Sequence, residues 1–372
     1  MKVGFMKYRV IFSILMVWII QTIGYSKNYG SQNENPKVID LKVSLEATLN
    51  EKFENTLYPS LIYSLAGMKD ENGNFQKLDY FQLKVTSNKA FEAKIRITND
   101  KFIRETILSR MIEVGVNEIS GIDPLWKFDD FVNFTIPGYT FFKFEIIDNK
   151  TDKVLAHNDM RLSYRSINEC VRAYYEEGSW EITDDLFAAY VNEDAPEIET
   201  ILQKISQRAI AGGLNFRGWS PNSTDEEALM QLLYVTLYFA NQGYIYSNIT
   251  DTSNANTKIA SQQVRFIKNT ITNKQANCVD GSVLLASIFK KIGFKTALVV
   301  HPGHMYCGIV LPNSQAPIFV ETTLIQYLRD VAPSQLMNVF KQIVTGELQK
   351  DKSVTTIVDI DEAREAGIKP IQ

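Results

Sequence analysis

The chain has 372 residues, 45% of them hydrophobic and 22% charged, an ordinary globular composition with room for two domains. The formal net charge of −4 gives no reason to expect a nucleic-acid partner. The basic residues are scattered, and no stretch interleaves them with stacking aromatics.

The first segment reads as a targeting sequence. Lys2, Lys7 and Arg9 form a positive region, residues 10–20 are apolar with only Ser13 interrupting, and Gly24, Tyr25 and Ser26 offer a cleavage position. Residues 1–26 are therefore expected to be a secretory signal peptide. The apolar run is about half of the ~20 residues needed to span a bilayer, so no stable membrane anchor is expected after cleavage. The mature protein would be periplasmic, cell-surface or secreted.

After a polar spacer at 31–37 the pattern becomes strand-like. Residues 81–85 and 91–97 alternate apolar and polar, and 139–147 set Phe142, Phe144 and Ile146 on one face. Period-two alternation marks half-buried strands, and turn signals at 70–73, 87–89 and 148–151 separate them. Residues 38–166 are expected to be an antiparallel β-sandwich without a catalytic cluster. The composition changes around Cys170. A helix opening at Pro196 and ended by Gly212 and Gly213 follows, then one begun by the capping-box pattern Ser223 to Glu226. A third helix is expected over 257–270, with Ile259, Val264, Phe266 and Ile267 available for packing.

The chemistry concentrates between Gln275 and Glu321. Cys278 stands ahead of an apolar helical run at 282–292, and Gly293 follows where a left-handed cap is wanted. A thiol there faces unpaired backbone N–H groups and the positive end of the helix dipole, which favours thiolate. Strand patterns at 296–300, 305–311 and 318–321 come next, with His304 at the start of one and Glu321 at the end of another. A nucleophile, a base and a carboxylate that orients the base are the parts thiol catalysis requires. Whether Glu321 shares a sheet face with His304 depends on strand register.

Cys278, Asp280, Leu284, Leu285, Gly293 and Phe294, followed by Gly303-His304 and by Glu321 and Thr323, resemble the signature of the transglutaminase-like superfamily, a papain-like group of thiol enzymes. The resemblance covers residues 224–324 closely. The family's acid is commonly Asp, and here it is Glu, one methylene longer. The resemblance implies an α+β chain: an N-terminal β-sandwich, a transglutaminase-like catalytic domain at 170–345, and a tail at 346–372 packed on it. It implies Cys278 as nucleophile, His304 as base and Glu321 as orienter, with a protein or peptide as substrate and no cofactor. The oxyanion would be held by the Cys278 N–H and by Gln275, a position papain-like enzymes often fill with glutamine, with Asn277 as rival. Asp280 reads as a helix-start residue that braces the loop. Zinc at His301, His304 and Cys307 is disfavoured, because side chains three apart on a strand point to opposite faces. A Cys170–Cys307 disulfide stays open, as does the alternative of a binding or scaffold protein that keeps the fold without turnover.

Overall fold

The computed structural model describes residues 40–345 and 355–371, apart from 70–72, 74, 76–77, 214, 221, 249–255 and 316. The expected signal peptide, the spacer after it and residues 346–354 of the tail lie outside the described residues.

Two sheets form the N-terminal part. Strands β1 (Val43–Leu49), β2 (Thr56–Leu57), β3 (Phe81–Ser87), β4 (Phe91–Thr98), β5 (Thr106–Ile112), β6 (Gly115–Ile119), β7 (Gly138–Asp148) and β8 (Val154–Tyr164) follow in sequence. They assemble as β1-β3-β6 and β2-β8-β7-β4-β5. The pairings are antiparallel except β2 with β8. The alternation read from the sequence sends Phe81, Leu83 and Val85 inward from β3, and Phe142, Phe144 and Ile146 from β7. The Phe81 ring lies 5.0 Å from that of Phe142 and 5.4 Å from that of Phe144, so these aromatics join the two sheets. Each buried ring contributes about 1.5–3 kcal/mol through burial, and contacts between rings add about 0.5–1.5 kcal/mol. Helices α1 (Pro59–Leu65) and α2 (Phe128–Phe131) pack against each other.

The change of composition near Cys170 is a change of architecture rather than a gap between cores. Ser166 through Cys170 are buried, and the Ser60 hydroxyl of α1 donates to the Glu169 carbonyl. One continuous apolar cluster contains Phe81 of β3, Cys170, and Leu284 further along the chain. The described residues from Leu41 onward accordingly fall in one compact unit.

The C-terminal part is α+β. Strands β9 (Glu169–Glu176) and β10 (Ser179–Ile182) precede α3 (Pro196–Ala211) and α4 (Asp225–Asn241). The capping box of α4 sits one residue later than expected: Thr224 accepts from the Glu227 N–H, and Glu227 accepts from the Thr224 N–H. Next come β11 (Ile245–Tyr246), β12 (Ile259–Gln263), α5 (Ile267–Asn273), β13 (Gln275–Ala276) and α6 (Cys278–Lys291). The helix expected over 257–270 is therefore corrected to a strand and the start of a shorter helix. Its first half pairs antiparallel with β9, and Asn168 brackets Val264 with a backbone and a side-chain hydrogen bond. A short apolar run has no decisive period of its own, so the open edge of β9 decides its form.

The remaining elements are β14 (Thr296–His301), β15 (His304–Val310), β16 (Pro317–Val320), α7 (Leu336–Ile343), β17 (Val344–Thr345), β18 (Thr356–Asp359) and α8 (Ile360–Glu365). They build the sheet β17-β16-β15-β14-β18, with α6 packed against β14 and β15. The last segment crosses to the N-terminal part. The Tyr63 hydroxyl of α1 donates to the Pro370 carbonyl at 3.1 Å, and the Ile371 N–H to the Ala189 carbonyl at 2.7 Å.

Candidate active site

The nucleophile loop is delivered by a tight reversal. Helix α5 ends on Lys274 in the left-handed region (φ 53°), which turns the chain into β13, parallel to β11. Asn277 then caps α6: its side chain accepts from the Asp280 N–H, and the Asp280 carboxylate accepts from the Asn277 N–H. Asn277 is thus the cap of α6, with its side-chain oxygen engaged by the Asp280 N–H. Cys278 is the first residue of the helix, so its N–H and that of Val279 have no acceptor within α6. Lys290 and Lys291 occupy the last turn, which suits the helix dipole at both ends.

Asp280 braces the loop. Its side chain is fully buried and takes the Arg265 N–H at 2.8 Å and the Arg265 guanidinium at 2.9 Å. Burial pushes its carboxyl above the usual range, against the opposing pull of Arg265 and the backbone donors. The same guanidinium donates to the Gln275 carbonyl at 3.3 Å, so one side chain ties the strand before the nucleophile to the first turn after it.

Strand register brings the other two groups together. His301 and His304 pair across a turn of Pro302 and Gly303, where Gly303 holds φ 75°, the combination that a type II turn requires. The pair Cys307 with Val320 places Glu321 one step beyond, opposite Tyr306 and on the face that carries His304. The His304 Nε2 lies 2.8 Å from Glu321 Oε2. The other carboxylate oxygen accepts the Thr323 hydroxyl at 2.7 Å and its N–H at 3.1 Å. The extra methylene of Glu is thus accommodated, with each oxygen holding its own partner.

Cys278 is the other side chain that hydrogen-bonds the His304 ring. That bond first, then the one to Glu321, pushes the imidazole up to about 9 from its ordinary 6.5. Burial raises the Glu321 carboxyl, but the hydrogen bonds from His304 and Thr323 outweigh it, and the net direction is down. Cys278, His304 and Glu321 therefore converge, while the side chain of Gln275 stands half-buried two residues before the cap. His301 turns to Thr355, with Nδ1 and Oγ1 3.2 Å apart. Cys307 is buried in the main core, on the face of β15 opposite His304, so the three zinc candidates do not converge. Cys170 and Cys307 are free thiols and not a disulfide.

Several residues of the site carried no sequence signal. Tyr306 lies edge-on to the His304 ring at 4.5 Å. Ser282 donates to the Met305 carbonyl at 3.2 Å and so links the nucleophile helix to the histidine strand. Gly281 lets the segment after Glu321 approach, since a Cβ there would stand 3.0 Å from the Cβ and Oγ1 of Thr322. Arg265 lies outside the motif, and nothing local marks it as the partner of Asp280. A cavity of about 670 Å³ lies at the other end of α6, lined by Leu202, Phe216 and Gly293 among others, remote from the triad.

Neither the scan against protein-family models nor the search of curated proteins finds a match for this sequence.

Proposed function

We propose that this protein is an exported thiol hydrolase of the transglutaminase-like type, with an N-terminal β-sandwich and a papain-like catalytic part, acting on amide bonds of a protein or peptide. The observation that carries the reading is the convergence of Cys278, first residue of α6, with His304 and its partner Glu321. His304 takes the thiol proton and Glu321 holds the resulting imidazolium. The thiolate attacks the carbonyl carbon, and the oxyanion accepts from the Cys278 N–H, with the Gln275 amide as second donor. The imidazolium then protonates the departing amine as the C–N bond breaks, which leaves a thioester on Cys278. Water, deprotonated by His304, cleaves the thioester to the carboxylic acid and regenerates the thiol. An amine in place of water would give transamidation.

The test is amine release from a mixed fluorogenic peptide pool, comparing the intact protein with Cys278→Ala and His304→Ala. Loss of turnover in both variants supports the reading. Equal turnover in all three, or none in any, overturns it in favour of a non-catalytic binding or scaffold protein.

A further inference from the structure

Two segments bonded next to members of the triad carry large apolar side chains left in solvent. Ile245 and Tyr246 of β11 are 46% and 41% exposed, and Leu324 and Tyr327, in the 3-10 segment Thr322–Asp330, are 38% and 61% exposed. These two segments touch, and the Tyr246 N–H donates to the Gln326 side chain at 3.2 Å. Each is anchored next to a member of the triad. Tyr246 pairs with Ala276, two residues before Cys278, and the Ser247 N–H donates to the Ala276 carbonyl. Leu324 donates its N–H to the Glu321 carbonyl.

The charge around them is as informative as the apolar area. The phenols of Tyr246 and Tyr306 are both raised, by burial first and then by the charges of Cys278 and Glu321. An exposed apolar surface next to a nucleophile has a simple use: substrate binding removes it from water.

We propose that Tyr246, Leu324 and Tyr327, with Ile245 at the margin, form a subsite for an aromatic or large aliphatic side chain of an extended polypeptide, flanking the bond that Cys278 attacks. The proposal rests on the thiol-hydrolase reading and adds the substrate class to it. Discrimination by an apolar subsite runs to about 10–200-fold per methylene-sized difference, so a partly exposed shelf that separates Phe from Ser should give about tenfold or more.

The experiment uses a panel of peptidyl vinyl sulfones that differ at one flanking position, with Phe, Leu, Ser, Lys or Glu, and reads the rate of Cys278 modification by mass spectrometry. Phe and Leu probes should react about tenfold faster than Ser, Lys and Glu probes. The Phe-to-Ser ratio should fall several-fold in Tyr246→Ser and in Tyr327→Ser, and it should be retained in Tyr246→Phe, which keeps the ring. Ratios within one variant cancel any general loss of reactivity. A flat panel, a preference for Lys or Glu, or a ratio unmoved by both serine variants overturns the subsite. Iodoacetamide separates the two readings: if His304→Ala leaves its reaction with Cys278 unchanged, the thiol-hydrolase reading itself fails, and the subsite with it.

Discussion

Replacing Glu321 by Gln keeps the size of the side chain and removes the charge that faces His304. The imidazole stands at about 9 against an ordinary 6.5, with the Cys278 hydrogen bond as the larger cause and Glu321 as the next. A rise of that size corresponds to about 3 kcal/mol at ~1.4 kcal/mol per pH unit, divided between the two partners. Solvent screening at a half-open site brings the carboxylate's share to on the order of 1 kcal/mol, or roughly 0.7 pH unit. Thiol and imidazole titrate as a pair, so the carboxylate is best measured with the thiol removed. The chain contains three histidines, few enough to resolve by NMR. In a Cys278→Ser background, His304 should titrate roughly 0.7 pH unit higher with Glu321 than with Gln at that position. The stability consequence has a definite window. His304 is raised, so its contribution is full below 6.5 and is lost as pH rises towards about 9. Glu321 is lowered, so its contribution is full above 4.5 and is lost as pH falls below that value. The Tm difference between Glu321 and Gln should therefore be largest between 4.5 and 6.5 and fade by about 9. Identical His304 titrations with and without the carboxylate would refute the orienting role.

Arg265→Met strands the buried Asp280 carboxylate and should cost about 3–5 kcal/mol in urea unfolding, and a loss under about 1 kcal/mol would contradict the bracing role. Gly281→Ala gains about 0.5–1 kcal/mol of helix propensity, but its Cβ must push Thr322 away. Stability should therefore change by less than about 1 kcal/mol while Cys278 reacts more slowly with iodoacetamide, and an unchanged rate would show that the segment after Glu321 yields freely. Thr224→Ala removes the cap of α4 and should lower stability by about 1 kcal/mol in the same urea assay, with no change if the box is dispensable. Limited proteolysis should fail to release residues 40–166 as a stable fragment, because residues 166–170 are buried in the shared core.

Much of this protein is determined by local pattern. The period-two runs of β3, β4 and β7, the apolar stripe of α6 and the three strands that follow it needed only nearest neighbours to be read. The left-handed Gly293 after α6, with φ 97°, was legible for the same reason, since a helix end with no Cβ to accommodate is a local event. The order of Cys278, His304 and Glu321 was likewise on view, because each sits at the end of a recognisable element. Tertiary structure decided what depends on partners distant in sequence. The register of Cys307 with Val320 puts Glu321 on the same face as His304, and a slip of one residue would have sent it to the core. The open edge of β9 makes a strand of β12, the burial of Asp280 recruits Arg265, and the pairing of β11 with β13 brings Tyr246 to the thiol. The two parts that meet near Cys170 are tied together for the same reason: each alternates by itself, but Ser60 bonds Glu169 and Tyr63 bonds Pro370 between them, and only the folded chain brings these within reach.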